Sequence, residues 1–256
     1  MLAYDRAGAG PPLVLVHGIG LDRRCWAPVR TALERAHDVI AVDLPGFGES
    51  PPGAAEPEIA ALADAVEDLL AGLGIERPHV AGNSLGGTVA LELGARGRVA
   101  SVCCLSPAGF SVGRERPYER ASLRLTRAAS RALDGFAEVA FAGPVRRTLL
   151  MSQVVARPWR VPASDAAHMA RATARAPGFE ATLPQVTRWR PTAGPCPTTI
   201  AWGERDRLLL ASRQAPRARR VLPAARHLLL RGCGHVPMWD DPAQVARVLL
   251  EATASG

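Results

Sequence analysis

The sequence predicts an α/β fold, with a mostly parallel central sheet, helices on both faces and a helical insertion. Three observations carry this. Short apolar runs alternate with helical patterns through most of the chain. The stretch from Gly109 to Ala193 departs from that alternation and is helical in pattern. The length, 256 residues, suits one α/β domain with an insertion, or two small domains.

Pro12–Val16 and Asp38–Val42 read as buried strands. Ile59–Leu73 has apolar residues at helical spacing with acids between them. His79–Ala81 is a short strand, and Leu85–Ala95 is small and apolar, as suits a buried helix. Val99–Leu105, Thr198–Trp202 and His227–Leu230 have strand character, and Pro242–Ala252 is helical in pattern. Strand–helix alternation of this kind implies a parallel sheet covered on both faces.

Between Gly109 and Ala193 the pattern is broken at Pro117, Pro144, Pro158, Pro162, Pro177 and Pro184. The segment holds 14 Arg against six acids, a net of +8 in a chain of net +7, so the remainder is −1. It is expected to cap one end of the sheet, with residues 1–108 and 194–256 forming the core domain and 109–193 the cap.

Composition bounds the function. A hydrophobic fraction of 48% with 21% charged residues is ordinary for a globular protein and allows a core of useful size. The strongest early apolar run, Leu13–Val16, is far too short to span a membrane. Met1–Arg6 lacks a basic region followed by an apolar one, so no signal peptide is expected and the cytoplasm is the expected location. The five cysteines are scattered, odd in number and without a CxxC, which favours free, buried thiols over disulfides or a metal site. All 31 basic residues are Arg and none is Lys, the mark of a biased genome composition rather than a functional charge. No nucleic-acid motif accompanies the charge, so nucleic acid is not an expected partner.

The sharpest chemical signal is Gly82-Asn83-Ser84-Leu85-Gly86-Gly87, which follows a short strand and opens a helix. A serine at such a turn projects its hydroxyl above the sheet, and small neighbours are needed because the turn is tight. Ser84 is the candidate nucleophile. It needs a base, and the base needs an orienting acid. His235, in the glycine-flanked loop Gly232–Pro237, is the candidate base. Asp206, after Trp202-Gly203-Glu204-Arg205, is the candidate acid. Glu204 competes for that role, whereas Asp240 and Asp241 are expected to begin the last helix. The oxyanion hole needs two donors. The N–H of Leu85, next to the nucleophile, and the N–H of Ile19, in the loop His17-Gly18-Ile19-Gly20, are the candidates.

With these residues in order, the chain resembles the α/β-hydrolase fold superfamily over nearly its whole length. The resemblance rests on His17-Gly18, Asp43–Ser50, Gly82–Gly87, Gly203–Asp206 and Gly234–Pro237. It implies a Ser–Asp–His triad in that chain order, a structural glycine-rich turn at Asp43–Ser50 bordering the pocket, and a cap inserted after the strand ending near Leu105. One departure is visible. Only Leu2–Arg6 precede the strand that leads to His17, so the family's first edge strand is expected to be missing or to lie outside this sequence.

The expected reaction is hydrolysis of a carboxylic ester of a small acyl substrate through an acyl-enzyme, with no metal or organic cofactor. Serine at the elbow argues against haloalkane dehalogenases and epoxide hydrolases, which the resemblance associates with aspartate there. Gly-Asn-Ser-x-Gly-Gly also resembles relatives that cleave carbon–carbon bonds of ring-fission products, but those place Trp after the histidine where this chain has Val236. Acyl thioester cleavage and a non-catalytic ligand-binding role stay open as well. Around the substrate the candidates are His17, Gly18, Asn83, Phe110, Phe141, Trp159 and Val236, with Phe136, Met151, Met169 and Phe179 as further cap residues. Arg114, Arg116, Arg120, Arg124 and Arg127 either attract an anionic substrate or form a solvated helix face, and the latter is favoured.

Overall fold

A computed structural model describes residues 1–53 and 56–254. Seven strands form one sheet: β1 (Tyr4–Ala7), β2 (Pro12–Val16), β3 (Asp38–Val42), β4 (His79–Asn83), β5 (Ser101–Leu105), β6 (Thr198–Gly203) and β7 (Arg226–Leu230). Their spatial order is β1-β3-β2-β4-β5-β6-β7. Every neighbouring pair is parallel except β1, which runs antiparallel to β3 with Tyr4 opposite Val42. The residues that precede β2 thus form one short strand at the edge of the sheet. Three of the four residues of β1 are only partly buried and Arg6 is exposed, so they carry no apolar run that a sequence reading registers.

Alternate residues of each strand enter opposite cores, as a pleated strand requires. Val14, Val16, Ile40, Val42, Val80 and Ile200 face one core. Leu13, Leu15, Val39, Ala41, Ala81 and Ala201 face the other. The first face is covered by α2 (Ile59–Gly72), α3 (Leu85–Ala95) and α9 (Ala211–Val221), the second by α1 (Ala27–Leu33) and α10 (Pro242–Thr253). Two-sided burial explains why the strands read as near-continuous apolar runs. Each fully buried large side chain, such as Phe47 or Trp202, contributes roughly 1.5–3 kcal/mol relative to exposure.

Between β5 and β6 the chain leaves the sheet and forms five helices: α4 (Glu115–Leu133), α5 (Ala137–Phe141), α6 (Pro144–Met151), α7 (Ala163–Arg175) and α8 (Phe179–Arg188). Pro144, Pro158, Pro162 and Pro177 lie at or between helix ends, as expected of residues without an N–H. Two prolines do not break their helices. Pro117 sits in the first turn of α4, where backbone N–H groups have no intrahelical partner. Pro184 lies inside α8, which runs through it to Arg188.

These helices contact loops that follow β2 and β3. Thr173 on α7 donates to Gly20 O at 2.9 Å, and Gly178 N donates to Gly46 O at 2.9 Å. Gly46 has φ +78, and a Cβ there would lie 2.8 Å from Gly178 Cα, so only glycine fits this contact.

Candidate active site

Ser84 lies between the last residue of β4 and the first of α3, with φ 56 and ψ −115. Such a backbone conformation is strained for a residue with a Cβ and persists only when its surroundings enforce it. Here they do. Ser84 N donates to Leu105 O at 3.0 Å, and Ser84 O accepts from Thr88 N at 3.1 Å and Ala108 N at 3.3 Å. A Cβ on Gly82 would lie 2.1 Å from Gly86 O, and one on Gly86 would lie 2.0 Å from Val16 O. The glycines thus allow α3 to start directly against β2 and β4. Its N-terminus, where the backbone N–H groups and helix dipole favour negative charge, lies beside Ser84.

His235 follows β7 and Asp206 follows β6. Asp206 Oδ2 accepts from His235 Nδ1 at 2.8 Å, and Oδ1 accepts from the N–H groups of Leu208 at 2.9 Å and Leu209 at 2.8 Å. Both side chains are buried. An ionised carboxylate only accepts hydrogen bonds, so the proton of the neutral imidazole sits on Nδ1 and Nε2 is left as a base. Ser84 and His235 line one cavity. No hydrogen bond joins their side chains among the described residues.

The competing acids go elsewhere. Glu204 accepts from Gly232 N at 2.7 Å and pins the loop that precedes His235. Asp241 caps α10 through Gln244 N, as expected. Asp240 does not begin that helix. Its carboxylate accepts from Gly234 N, Ala156 N and Arg157 N, and sequence reasoning missed this role.

The loop after β2 is organised by His17. Its Nδ1 donates to Gly18 O at 2.8 Å, and its Nε2 accepts from Leu44 N at 3.0 Å. Complete burial pushes its pKa below the ordinary histidine value, which suits the neutral tautomer these two bonds define. The N–H groups of Ile19 and Leu85 have no protein acceptor among the described residues. A Cβ on Gly18 would lie 3.3 Å from Ser84 Cβ, so the loop and the serine are in close contact.

The cavity has a volume of about 690 Å³ including its open mouth. Gly18, Ile19, Asn83, Ser84, His235 and Val236 form its floor, and Phe141, Met151, Met169 and Phe179 are among its walls. Three of the seven substrate-side candidates lie outside it. His17 faces Gly18 O and Leu44 N, Phe110 packs edge-on against Trp202 with ring centroids 5.9 Å apart, and Trp159 is half-exposed. Phe136 is also exposed. Among the described residues no Arg, Asp or Glu lines the cavity. Arg127 lies over the Phe179 ring and pairs with Glu180, while Arg120 bonds Thr187, so these cations belong to packing between helices.

The sequence matches the alpha/beta hydrolase family over residues 13–248. The chain belongs to that family. An uncharacterized protein of Mycobacterium tuberculosis is 30% identical over 257 residues, covering 94% of this chain and 75% of that protein. Lipase 1 of Psychrobacter immobilis is 27% identical over 268 residues, covering 95% of this chain and 79% of the lipase. The crystal structure of a bacterial membrane phospholipase A superposes with a TM-score of 0.77 at 28% identity, covering 100% of this chain and 84% of that one. Other relatives carry the names of an esterase and an epoxide hydrolase.

In this alpha/beta hydrolase the cavity also holds residues that sequence reasoning did not single out. Leu208 follows the candidate acid, Ala170 comes from α7, and Thr126 and Ser130 come from one face of α4. Small and hydroxyl residues among arginines give α4 little signal beyond their i, i+4 spacing. All five cysteines are free, and burial pushes the Cys233 thiol up to about 12, which disfavours the thiolate. Among the described residues no cluster of three or more His, Cys, Asp or Glu is arranged to hold a metal ion.

Proposed function

We propose that this chain is a serine hydrolase that cleaves a carboxylic ester of an uncharged, largely apolar substrate. The observation that carries the reading is the strained Ser84, at the N-terminus of α3, lining the same cavity as a histidine whose Nδ1 is bonded to a buried aspartate.

The chemistry follows from these parts. His235 Nε2 takes the Ser84 proton as Oγ attacks the ester carbonyl. Their hydrogen bond forms when substrate fills the cavity, as catalytic contacts commonly tighten on binding. The Ile19 and Leu85 N–H groups stabilise the tetrahedral oxyanion, and losing one such donor costs roughly 2.7–4 kcal/mol. His235 then protonates the leaving alcohol, leaving an acyl group on Ser84. A water deprotonated by His235 releases the acid. Asp206 remains ionised and stabilises the imidazolium in both steps.

The uncharged cavity lining supports an apolar acyl or alcohol group, and the segment 109–193 is read as the cap that shapes its pocket. Five cysteines without a disulfide fit a reducing compartment, the cytoplasm. No helix among the described residues is long and apolar enough to cross a membrane. Carbon–carbon bond cleavage is the second reading. It rests on the Gly-Asn-Ser-x-Gly-Gly pattern of residues 82–87.

Hydrolysis of p-nitrophenyl esters of increasing acyl length tests the proposal. Turnover that Ser84→Ala abolishes supports it. A protein inert to every ester but active on ring-fission diketones supports the second reading instead.

A further inference from the structure

The loop that carries His235 is held from two sides. On the sheet side, Glu204 and Arg205 bond it through Gly232 N at 2.7 Å and Cys233 O at 2.7 Å. On the other side it is bonded to the segment that leaves α6. Val236 N donates to Val154 O at 2.8 Å. Asp240 Oδ2 accepts from Gly234 N at 2.7 Å and from Ala156 N at 3.0 Å, while Oδ1 accepts from Arg157 N at 2.7 Å.

This carboxylate is 2% exposed. Among the described residues no side-chain cation bonds it, and the Arg157 guanidinium bonds the Asp240 backbone oxygen instead, at 3.5 Å. Burying a charged group on backbone amides alone is costly, so three N–H donors from two separate segments must compensate. The fit is close. A Cβ on Gly234 would lie 2.8 Å from Ala156 N. The bonded segment is also a wall of the cavity, which Leu150, Met151 and Val154 line from one side while His235 and Val236 line it from the other.

Resting on the serine-hydrolase reading above, we propose that Asp240 is a positioning residue through which the insertion holds His235 in register with Asp206 and Ser84. Gly234 N is the last amide before His235, and its acceptor is the oxygen that also holds Ala156. A substrate that packs against Leu150, Met151 and Val154 therefore acts, through Asp240, on the base. Filling the cavity and aligning His235 are one event.

Asp240→Ala tests this, because it removes the oxygen that Gly234 N and Ala156 N share. Fluorophosphonate labelling of Ser84 is expected to slow by between about 10-fold and 100-fold, the cost of a small misplacement of a catalytic group. Binding of a non-hydrolysable ketone ligand, measured in a Ser84→Ala background, is expected to weaken as well, since cavity filling and alignment of the base are coupled and coupling is reciprocal. The low-field proton resonance of the His235–Asp206 hydrogen bond is expected to broaden or move. Labelling at the native rate with an unmoved resonance, whatever the loss of melting temperature, overturns the proposal.

If the variant fails to fold, hydrogen exchange on the native protein decides. The amides of Gly234, Ala156 and Arg157 are expected to exchange together and to gain protection together when the ketone binds. Independent exchange overturns the proposal. A native protein that resists fluorophosphonate but shows joint exchange refutes the ester reading and leaves the coupling standing.

Discussion

His235 Nδ1 and Asp206 Oδ2 are 2.8 Å apart in a buried hydrogen bond, and the other Asp206 oxygen is held by two backbone amides. The aspartate therefore has no freedom to turn, and the imidazole it faces has one permitted tautomer.

Asp206→Asn is expected to invert that tautomer. Its amide oxygen stays on the Leu208 and Leu209 N–H groups, so its NH2 faces His235 and forces the ring proton onto Nε2. Nε2 is then no longer a base, and kcat on a p-nitrophenyl ester is expected to fall by roughly four orders of magnitude with little change in KM. Glu204→Gln keeps the oxygen that Gly232 N requires and is expected to change kcat by about twofold or less.

Gly86→Ala tests the elbow. Its Cβ would meet Val16 O at 2.0 Å, and neither backbone can give way cheaply. The cost is expected at the upper end of overpacking, about 3 kcal/mol, or a fall of roughly 6–12 °C in Tm. Gly72→Ala, at the end of α2 with nothing within 4 Å of the new Cβ, is expected to gain about 0.4–1 kcal/mol. Equal Tm values for the two variants contradict this account of the turn.

Ala170→Phe places a ring in the cavity from α7. The ratio of kcat/KM for long over short acyl esters is expected to fall by about 10-fold or more, since each methylene that loses its place costs about 1–3 kcal/mol. An unchanged chain-length profile means that the scissile ester is read elsewhere.

Glu119 on α4 is buried between Ser111 Oγ, 2.6 Å from both carboxyl oxygens, and Gln214 Nε2 at 2.7 Å on α9. Burial raises its pKa above the ordinary 4.5, with the nearby Glu115 acting in the same direction, although the bonds from Ser111 and Gln214 oppose the rise. The native state thus holds this proton more tightly than the unfolded chain. Its contribution to stability falls as pH rises from 4.5 through the raised native value. Glu119→Gln removes that dependence, so the variant is expected to gain on the native protein as pH rises. Thermal melts across pH check the sign, and a constant difference contradicts it.

What could be read in the sequence follows from the constraints behind it. Ser84 was legible because its turn demands Gly82 and Gly86, and the parallel strands because burial on both faces leaves unbroken apolar runs. Four features left little trace. β1 is a four-residue edge strand with only partial burial. The helix α9 contains Pro216 and several arginines and packs through small residues such as Ala211 and Ala218, so its apolar face is faint. Phe110 and Trp159 are aromatic residues of the predicted cap, but one packs on Trp202 and the other faces solvent. Residue type alone does not tell a wall from a core contact. Asp240 reads like a helix cap because Asp241 is one, and its bonds to Ala156 and Arg157 depend on a contact that spans 84 positions.

The central claim is that Ser84 becomes acylated. Native protein mixed with a p-nitrophenyl ester, quenched in acid and digested, gives a direct reading by mass spectrometry. The account predicts one acyl group on the peptide containing Ser84, a burst of p-nitrophenol equal to the enzyme present, and neither in Ser84→Ala. Ester turnover that persists in Ser84→Ala with no adduct on the native serine would contradict it.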